Sequence, residues 1–165
     1  MTTDAELAIA AREGDRRAFE LLYRRHARRV AGLVYRLLGQ DDAVDEIVQD
    51  VFVAAFEGLG DLRQPDKVGG WIRGIAVHHV RQTIARRTRW RAVVQGILEP
   101  PPEEPSTGDA ERALASLSPR LRMPFVLHHL EGFTIPETAA LCRVSEATTK
   151  RRCAEAAKRL ARRLA

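Results

Sequence analysis

Aromatic residues make up only 5% of this chain, and cysteine occurs twice in 165 residues. So few rings leave aliphatic side chains to fill the interior, which suits helices packed on helices. Cys142 and Cys153 form no Cys-x-x-Cys pair, so neither a zinc knuckle nor a redox dithiol is spelled out. Both fall on or beside apolar helical positions, where packed, reduced thiols belong. No stretch approaches the ~18 apolar residues of a membrane span. The start, MTTDAELAIAAREGD, is acidic and amphipathic where a secretory leader would be basic and then apolar. These absences point to a cytoplasmic chain with no direct membrane contact. Nothing alternates with period two for long, which leaves an all-α fold. Repeats and Gly-rich phosphate loops are lacking too. The His pairs 78/79 and 128/129 have no HExxH or carboxylate partner, and adjacent helical residues diverge by about 100°. No metal or cofactor is expected.

What the chain does have is charge, unevenly placed. Its 27 Lys and Arg against 22 Asp and Glu give a net +5, which favours a polyanionic partner. Residues 1–95 hold 16 basic and 13 acidic residues, and 111–165 hold 11 and 5. Between them, GILEPPPEEPSTGDA (96–110) has four prolines, four acids and no Lys or Arg. That composition is a flexible acidic linker, able to span up to ~45 Å when extended. The length is that of one domain or two small ones, and the linker divides it into two.

The most informative stretch is 131–164. Thr134 and Glu137 have the spacing of a capping box, opening a helix to about Cys142 with Pro136 in its first turn. Arg143-Val144-Ser145 breaks the pattern, and Ser145 is a good N-cap for a second helix. Thr149, Cys153, Ala156, Leu160 and Leu164 give that helix one apolar stripe. Ala147, Arg151, Lys158 and Arg162 lie opposite, with Lys150 and Arg152 on the flanks. From Arg143 to Ala165 eight Lys and Arg face two Glu. A helix-turn-helix presents the start of its second helix to the DNA major groove, with cations on the phosphates.

Upstream, Thr3 and Glu6 form another capping box, and Gly14 closes that helix. Asp15 caps the next, whose stripe is Phe19, Leu22, His26, Val30, Leu33 or Val34 and Leu37, ending at Gly39. His26 reads as a half-buried packing histidine, and the Arg pairs 16/17, 24/25 and 28/29 as a solvated face. Asp41 or Asp42 caps a third helix with Val44, Ile47, Val48, Val51, Phe52, Ala55 and Phe56 inward. Its other face carries Asp45, Glu46, Gln49 and Asp50, an acidic patch in a basic protein. Solubility with helix-dipole compensation and docking on a basic protein surface both account for it.

GLGDLRQPDKVGG (58–70) reads as a mobile loop leading into a helix that starts near Gly69 to Trp71. Trp71, Ile75, Val77 or His78, and Ile84 supply its packing. Arg73, Arg81, Arg86, Arg87, Arg89 and Arg91 form a basic edge. Such a module suits single-stranded nucleic acid; a core Trp on a surface helix is the plainer alternative. Gly74, at ~1 kcal/mol against Ala, implies close packing or ligand approach. Past the linker come Ala113, Leu114 and Leu117. A helix from Ser118-Pro119 then carries Leu121, Phe125, Val126 and Leu130, with a first turn distorted by Pro124.

In this order and spacing, GDRRAFELLYRRHARRV, VDEIVQDVFVAAF, WIRGIA, SLSPRLRMPFVLHHLEGFT and VSEATTKRR with AAKRL resemble the ECF (extracytoplasmic-function) sigma factors of bacterial RNA polymerase, over residues 5 to 163. The resemblance implies a core-polymerase-binding and −10 promoter-melting domain over 1–95, a region 2-like helical bundle. It implies a linker over 96–110 and a region 4-like helix-turn-helix over 111–165 for the −35 element. Asp45, Glu46, Gln49 and Asp50 would dock on core polymerase. Asp61, Arg63, Lys67, Trp71, Arg73, His78 and Arg81 would handle the single-stranded −10 element. Ser145, Thr148, Lys150, Arg151 and Arg152 would read the duplex −35 element. An anti-sigma factor is a further implied partner. His78 and Gln82 stand where the family favours Asn and Asp, Arg143 and Ala147 replace common glycines, and Cys142 and Thr149 replace larger aliphatics. Arg143 then either sits left-handed, at ~1–2 kcal/mol, or changes the turn. The resemblance implies a transcription initiation factor rather than an enzyme. A stand-alone helix-turn-helix regulator is the alternative, and it leaves the acidic helix and the Trp–Arg module without a task. A small His-dependent nuclease lacks any convergent catalytic cluster.

Overall fold

The structure, a computed structural model, describes residues 1–39, 42–94 and 108–165. Most of the expected linker and the proposed Asp41 cap lie outside the described residues. Among those described, every regular element is helical, and the chain divides into two compact units.

The first unit comprises Met1–Val34 and Asp42–His79. Helix α1 (Asp4–Arg12) opens on the Thr3–Glu6 capping box, with both reciprocal hydrogen bonds formed. Gly14, at φ +102°, turns the chain into α2 (Arg16–Leu38). Asp15 caps α2, its Oδ1 accepting from the Arg17 and Ala18 amides at 2.9 and 3.2 Å. Leu22, Val30, Leu33 and Val34 are buried on the expected stripe.

His26, half-buried, meets the Asp4 carboxylate at 2.8 Å, while Arg25 Nη1 donates to the other oxygen at 2.7 Å. Arg25 is therefore a tie for the start of α1, not part of a freely solvated face. Burial pushes the Asp4 carboxyl up, but its bonds with Arg25 and His26 outweigh that and hold it below its ordinary value. The His26 ring also needs Gly69 beside it, because a Cβ there would fall 2.9 Å from Cε1.

Helix α3 (Val44–Gly58) has Ala43 at its N-cap position, one residue beyond the expected Asp42. Ile47, Val48, Val51, Phe52 and Ala55 are its buried side. The segment expected to be mobile holds two 3-10 turns, Leu59–Asp61 and Pro65–Lys67, packed against α1 with Leu59 and Leu62 buried. Helix α4 (Val68–Val94) follows at once. Its buried stripe is Val68, Ile72, Ala76, Val77, Val80 and Thr83; Val77 was expected there, and the rest differs from the expected stripe. Trp71 and Ile75 are only half-buried and His78 is exposed.

The second unit comprises Tyr35–Asp41 and Val80–Ala165. It includes α5 (Asp109–Ala115), α6 (Pro119–Phe125), α7 (Ile135–Cys142) and α8 (Glu146–Leu164). The Pro124 distortion comes one turn later than expected. Pro119 opens α6 regularly, Pro124 sits inside it, and Val126–Leu130 then winds as a π-helical turn. A proline lacks the N–H that would hold the preceding turn, and the chain relaxes by widening after it. The Glu131 amide closes that turn on the Val126 carbonyl at 3.0 Å.

Helix α7 starts on the Thr134–Glu137 capping box as expected. It ends in a Schellman motif: the Val144 amide reaches Ala139 O at 3.1 Å and the Arg143 amide reaches Ala140 O at 3.2 Å. Arg143 takes the left-handed conformation, φ 54°, the one non-glycine at positive φ among the described residues. The glycine-for-arginine departure is thus absorbed as backbone strain, with the turn unchanged. Helix α8 packs on α6, α7 and α5 through Thr149, Cys153 and Ala156, whereas Leu164 is exposed, so the stripe runs past the body of the unit. The Cys153 and Cys142 thiols are both pushed up by burial, Cys142 to about 11, which leaves them protonated and unreactive near neutrality. No described helix is long and apolar enough to cross a membrane.

Candidate functional site

On α3, Asp45, Glu46, Gln49 and Asp50 are all exposed, opposite the buried Ile47–Ala55 side. Asp45 and Glu46 stand in the first turn, where the helix start favours carboxylates. That account does not extend to Asp50, which follows Glu46 by four residues and repels it by a few tenths of a kcal/mol. Nor does it explain a 15-residue helix without one Lys or Arg. Asp50 does bear on His79: burial lowers that histidine's pKa, with Asp50 pulling upward and His78 adding to the depression.

Sequence reading placed Phe56 inward and passed over Val53. They are 48% and 57% exposed, and at about 100° per residue both fall inside the arc from Asp45 to Asp50. Phe56 is held edge-on by Phe19 at 5.0 Å, and Phe52 in the same way by the exposed Tyr23 at 4.7 Å. The face is therefore acidic toward the start of α3 and apolar toward its end. Phosphates would be repelled by it; a protein surface offering cations and an apolar contact would fit. The missed signal was register, since Val53 and Phe56 continue the Asp45–Gln49 row.

Of the residues expected at the −10 element, Asp61 and Lys67 are exposed on the two 3-10 turns and Arg63 is exposed between them. Trp71 lies half-buried against Gly58, where an added Cβ would sit 3.4 Å from its ring. Trp71 and His78 share one side of α4 within about 20°, with Arg81 about 80° from Trp71. Arg73 points about 160° away from Trp71, its Nε toward the Gly69 carbonyl at 3.4 Å. Trp71 and His78 thus share one side of α4, and Arg73 does not join them. On the side of the buried stripe, Trp90 is 61% exposed where α4 outruns its partners.

At the start of α8, Ser145 Oγ accepts from the Thr148 amide at 3.1 Å and donates to Thr148 Oγ1 at 3.0 Å. Both hydroxyls are engaged in starting the helix. Arg151 leans on Thr148 Oγ1 at 3.4 Å. Ala147, Lys150 and Arg151 are exposed in the first turns, while Arg152 is half-buried at the edge of the packed stripe. Helix α8 thus offers two exposed cations and a small residue at a helix start, an arrangement that fits phosphates flanking a groove.

Sequence reading gave no role to Arg122, yet it is 5% exposed. Its guanidinium donates to four main-chain carbonyls: Leu37 and Leu38 at 3.0 Å each, Ala115 at 2.8 Å and Leu117 at 3.1 Å. Nearby, Arg36 pairs with Glu131, whose side chain is 3% exposed. Sequence separations of 85 and 95 residues leave no local pattern that could announce either. Burial also lowers His129, with His128 adding to the effect. Among the described residues no cluster of His, Cys, Asp and Glu could hold a metal.

Comparison with known proteins finds two families: Sigma-70 region 2 over residues 22–91 and Sigma-70, region 4 over 108–160. An ECF RNA polymerase sigma factor, SigM of Mycobacterium tuberculosis H37Rv, is 32% identical over 164 residues, covering 97% of this chain and 84% of the relative. The ECF RNA polymerase sigma-E factor of Escherichia coli K12 is 26% identical, covering 84% and 82%. Among solved structures, CnrH in complex with the cytosolic domain of CnrY aligns with TM-score 0.67 and 28% identity, covering 98% of this chain and 96% of that one. The sigma factor RpoE of Bartonella quintana, in complex with the anti-sigma factor NepR, aligns with TM-score 0.73 at 22% identity, covering 88% and 96%, a likeness of fold.

Proposed function

The chain belongs to the ECF sigma factors of bacterial RNA polymerase, and we propose that it performs that task through three separate surfaces. It is an alternative sigma factor, a transcription initiation factor. In our reading Asp45, Glu46, Gln49 and Asp50, extended by Val53 and Phe56, dock on core polymerase. Asp61, Arg63, Lys67, Trp71 and His78, with Arg81 at the flank, take the melted −10 strand. Arg73 belongs to this set only if it swings away from Gly69. Lys150 and Arg151 hold the −35 duplex, with Arg152 at the margin and Ser145 and Thr148 chiefly shaping the helix start. The division of labour runs over 1–95 and 111–165, joined by 96–110, and the family matches on either side of that stretch support it. The protein works in the cytoplasm, catalysis belongs to the polymerase, and an anti-sigma factor is its natural regulator.

The single observation that carries the docking assignment is the α3 face, acidic then apolar, with no intrahelical cation to neutralise it. A free-standing DNA-binding regulator would have no use for it. Reconstitution tests the whole reading: purified chain added to core polymerase yields promoter-specific transcripts. Asp45→Lys with Asp50→Lys abolishes both pull-down of core enzyme and those transcripts, while binding of the free chain to duplex DNA persists. Retention of core enzyme by the doubly reversed chain would refute the docking face.

A further inference from the structure

The outward side of α8 carries few polar groups near its start. Thr149, Cys153 and Ala156 fix the inward side. At about 100° per residue, Ala147, Arg151, Ala154 and Lys158 stand within about 50° of the opposite direction, and all four are exposed. The two alanines have no polar atom beyond the main chain. Lys158 lies about 10 Å further along the axis than Arg151. Lys150 is turned nearly 90° from the outward direction, toward the rim, and Glu146 stands on the core side of it. Within the first two turns, Arg151 is therefore the one side chain at the centre of the face that can hydrogen-bond outward. Ala147 precedes it and Ala154 follows it by a turn, so nothing bulky separates its guanidinium from whatever the helix lies against.

That guanidinium is tethered. Helical side chains lean toward the N-terminus, and Arg151 Nη2 donates to Thr148 Oγ1 at 3.4 Å. The same oxygen accepts from Ser145 Oγ at 3.0 Å, and Ser145 Oγ in turn accepts from the Thr148 amide at 3.1 Å. A hydroxyl oxygen has two acceptor lone pairs, and on Thr148 both are taken. Thr148 is half-buried, and next to it the buried Thr149 hydroxyl donates to the Ser145 carbonyl at 3.0 Å. The two-hydroxyl ring of Ser145 and Thr148 is thus fastened to the packed start of the helix. One N–H of the Arg151 fork is tied to that ring, and four of its five donors remain for a ligand.

We infer that Thr148 is a positioning residue for base choice: it fixes the fork of Arg151, and Arg151 takes a guanine by its O6 and N7. The inference rests on the −35 reading given above and goes beyond it by dividing the two exposed cations. Lys150 holds a phosphate, and Arg151 selects a base. Guanine presents two acceptors side by side in the major groove, which a planar fork meets with two parallel bonds; adenine puts a donor beside its N7. An untethered fork can turn to meet other acceptors, thymine O4 among them. A tethered one keeps its plane and loses less freedom on binding, so the Thr148 bond acts on discrimination more than on overall attraction.

A pool of duplexes randomised across the −35 element, sorted by core polymerase carrying the full-length chain, gives the base preference at every position. Wild type enriches guanine at the Arg151 position by about tenfold over the other bases. Arg151→Lys keeps the charge and loses the fork: that preference falls by about tenfold while the slope of log affinity against log salt stays as it was. Lys150→Ala does the reverse, lowering the slope by about one unit and keeping the preference. Thr148→Val keeps the shape of the side chain and removes its oxygen; the preference falls about threefold, and Thr148→Ser restores it. A Thr148 that only shaped the helix would, when changed, weaken binding to all sequences alike. Guanine preference that survives in Arg151→Lys, or disappears in Lys150→Ala, overturns Arg151 as the reader. An unchanged preference in Thr148→Val, or a loss that serine does not restore, overturns the positioning role. A chain that fails to join core polymerase defeats the sigma reading instead, and the same pool sorted by the chain alone still decides Arg151.

Discussion

Replacing Arg122 by Met keeps an unbranched apolar stem and deletes every donor of the guanidinium. Four charge-assisted bonds at 2.8 to 3.1 Å are lost. At ~1.5 kcal/mol each they amount to about 6 kcal/mol. Against that stands desolvation, which lowers the guanidinium from its ordinary value to about 10. At ~1.4 kcal/mol per pKa unit the opposing cost is about 3.5 kcal/mol. The difference sets the expected loss at about 2.5 kcal/mol, a large share of the ~5–15 kcal/mol that holds a domain folded. Arg122→Lys retains the charge but offers a point of three donors in place of a planar fork, so it falls roughly midway. The assay is urea unfolding of the full-length chain at neutral pH, followed by far-ultraviolet circular dichroism and compared through midpoint and slope. A Met variant within ~1 kcal/mol of wild type at unchanged slope would show that the carbonyls find water as readily as they find Arg122. The buried-cap argument would then be wrong.

Alanine at Lys150 or at Arg151 lowers the slope of log affinity against log salt by about one unit for −35 duplex, and Arg152→Ala, half-buried, lowers it less; fluorescence anisotropy over a salt series measures all three. Arg143→Gly relieves the left-handed strain at φ 54° and raises the urea-unfolding stability by about 1 kcal/mol. Thr134→Ala removes the α7 capping box and lowers that stability by about 1 kcal/mol. His79 and His129 have folded pKa values below the ordinary ~6.5. The unfolded chain therefore binds more protons as pH falls past that value, and this part of the stability, full above it, is lost on acidification. Thermal unfolding shows a lower midpoint in mildly acidic buffer than above neutrality, and His129→Gln reduces the difference.

Local chemistry made much of this fold readable. Both capping boxes, the Asp15 and Ser145 caps, the glycine stops and the α2 and α8 stripes depend on residues three or four positions apart, and each forms as its spacing implies, save for the exposed Leu164 at the end of α8. Errors arose where a neighbour chosen by tertiary packing decided the outcome. The α4 stripe was read from its largest apolar residues, Trp71 and Ile75, yet Val68, Ile72 and Val80 face inward, and an isoleucine at 72 looks no different in a sequence from one at 75. The segment before α4 looked like a free loop because Gly, Asp and Pro dominate it; Leu59 and Leu62 fix it on α1. Arg25 passed for a solvated residue because its partner, Asp4, is one helix away. The acidic half of the α3 face was legible from its charge, whereas its apolar half was not, since an exposed Phe56 and a buried Phe52 look alike in a sequence. Arg122, Arg36 and Glu131 were invisible for the same reason, at far greater separation.

The Leu37–Arg122 and Arg36–Glu131 pairings also order events during synthesis. A ribosome adding ~5–20 residues per second needs roughly 4 to 17 s to pass from Leu37 to Arg122, 85 positions later. Through that interval the last turn of α2 has no guanidinium to terminate it, and its carbonyls are hydrated. A nascent or truncated chain that stops before residue 108 therefore carries a frayed α2 from Arg36 onward. Amide exchange at Leu37 to Gly39 in such a fragment would be fast, while in the finished protein the turn that holds those amides is pinned at its Leu37 and Leu38 carbonyls by a side chain made seconds afterwards.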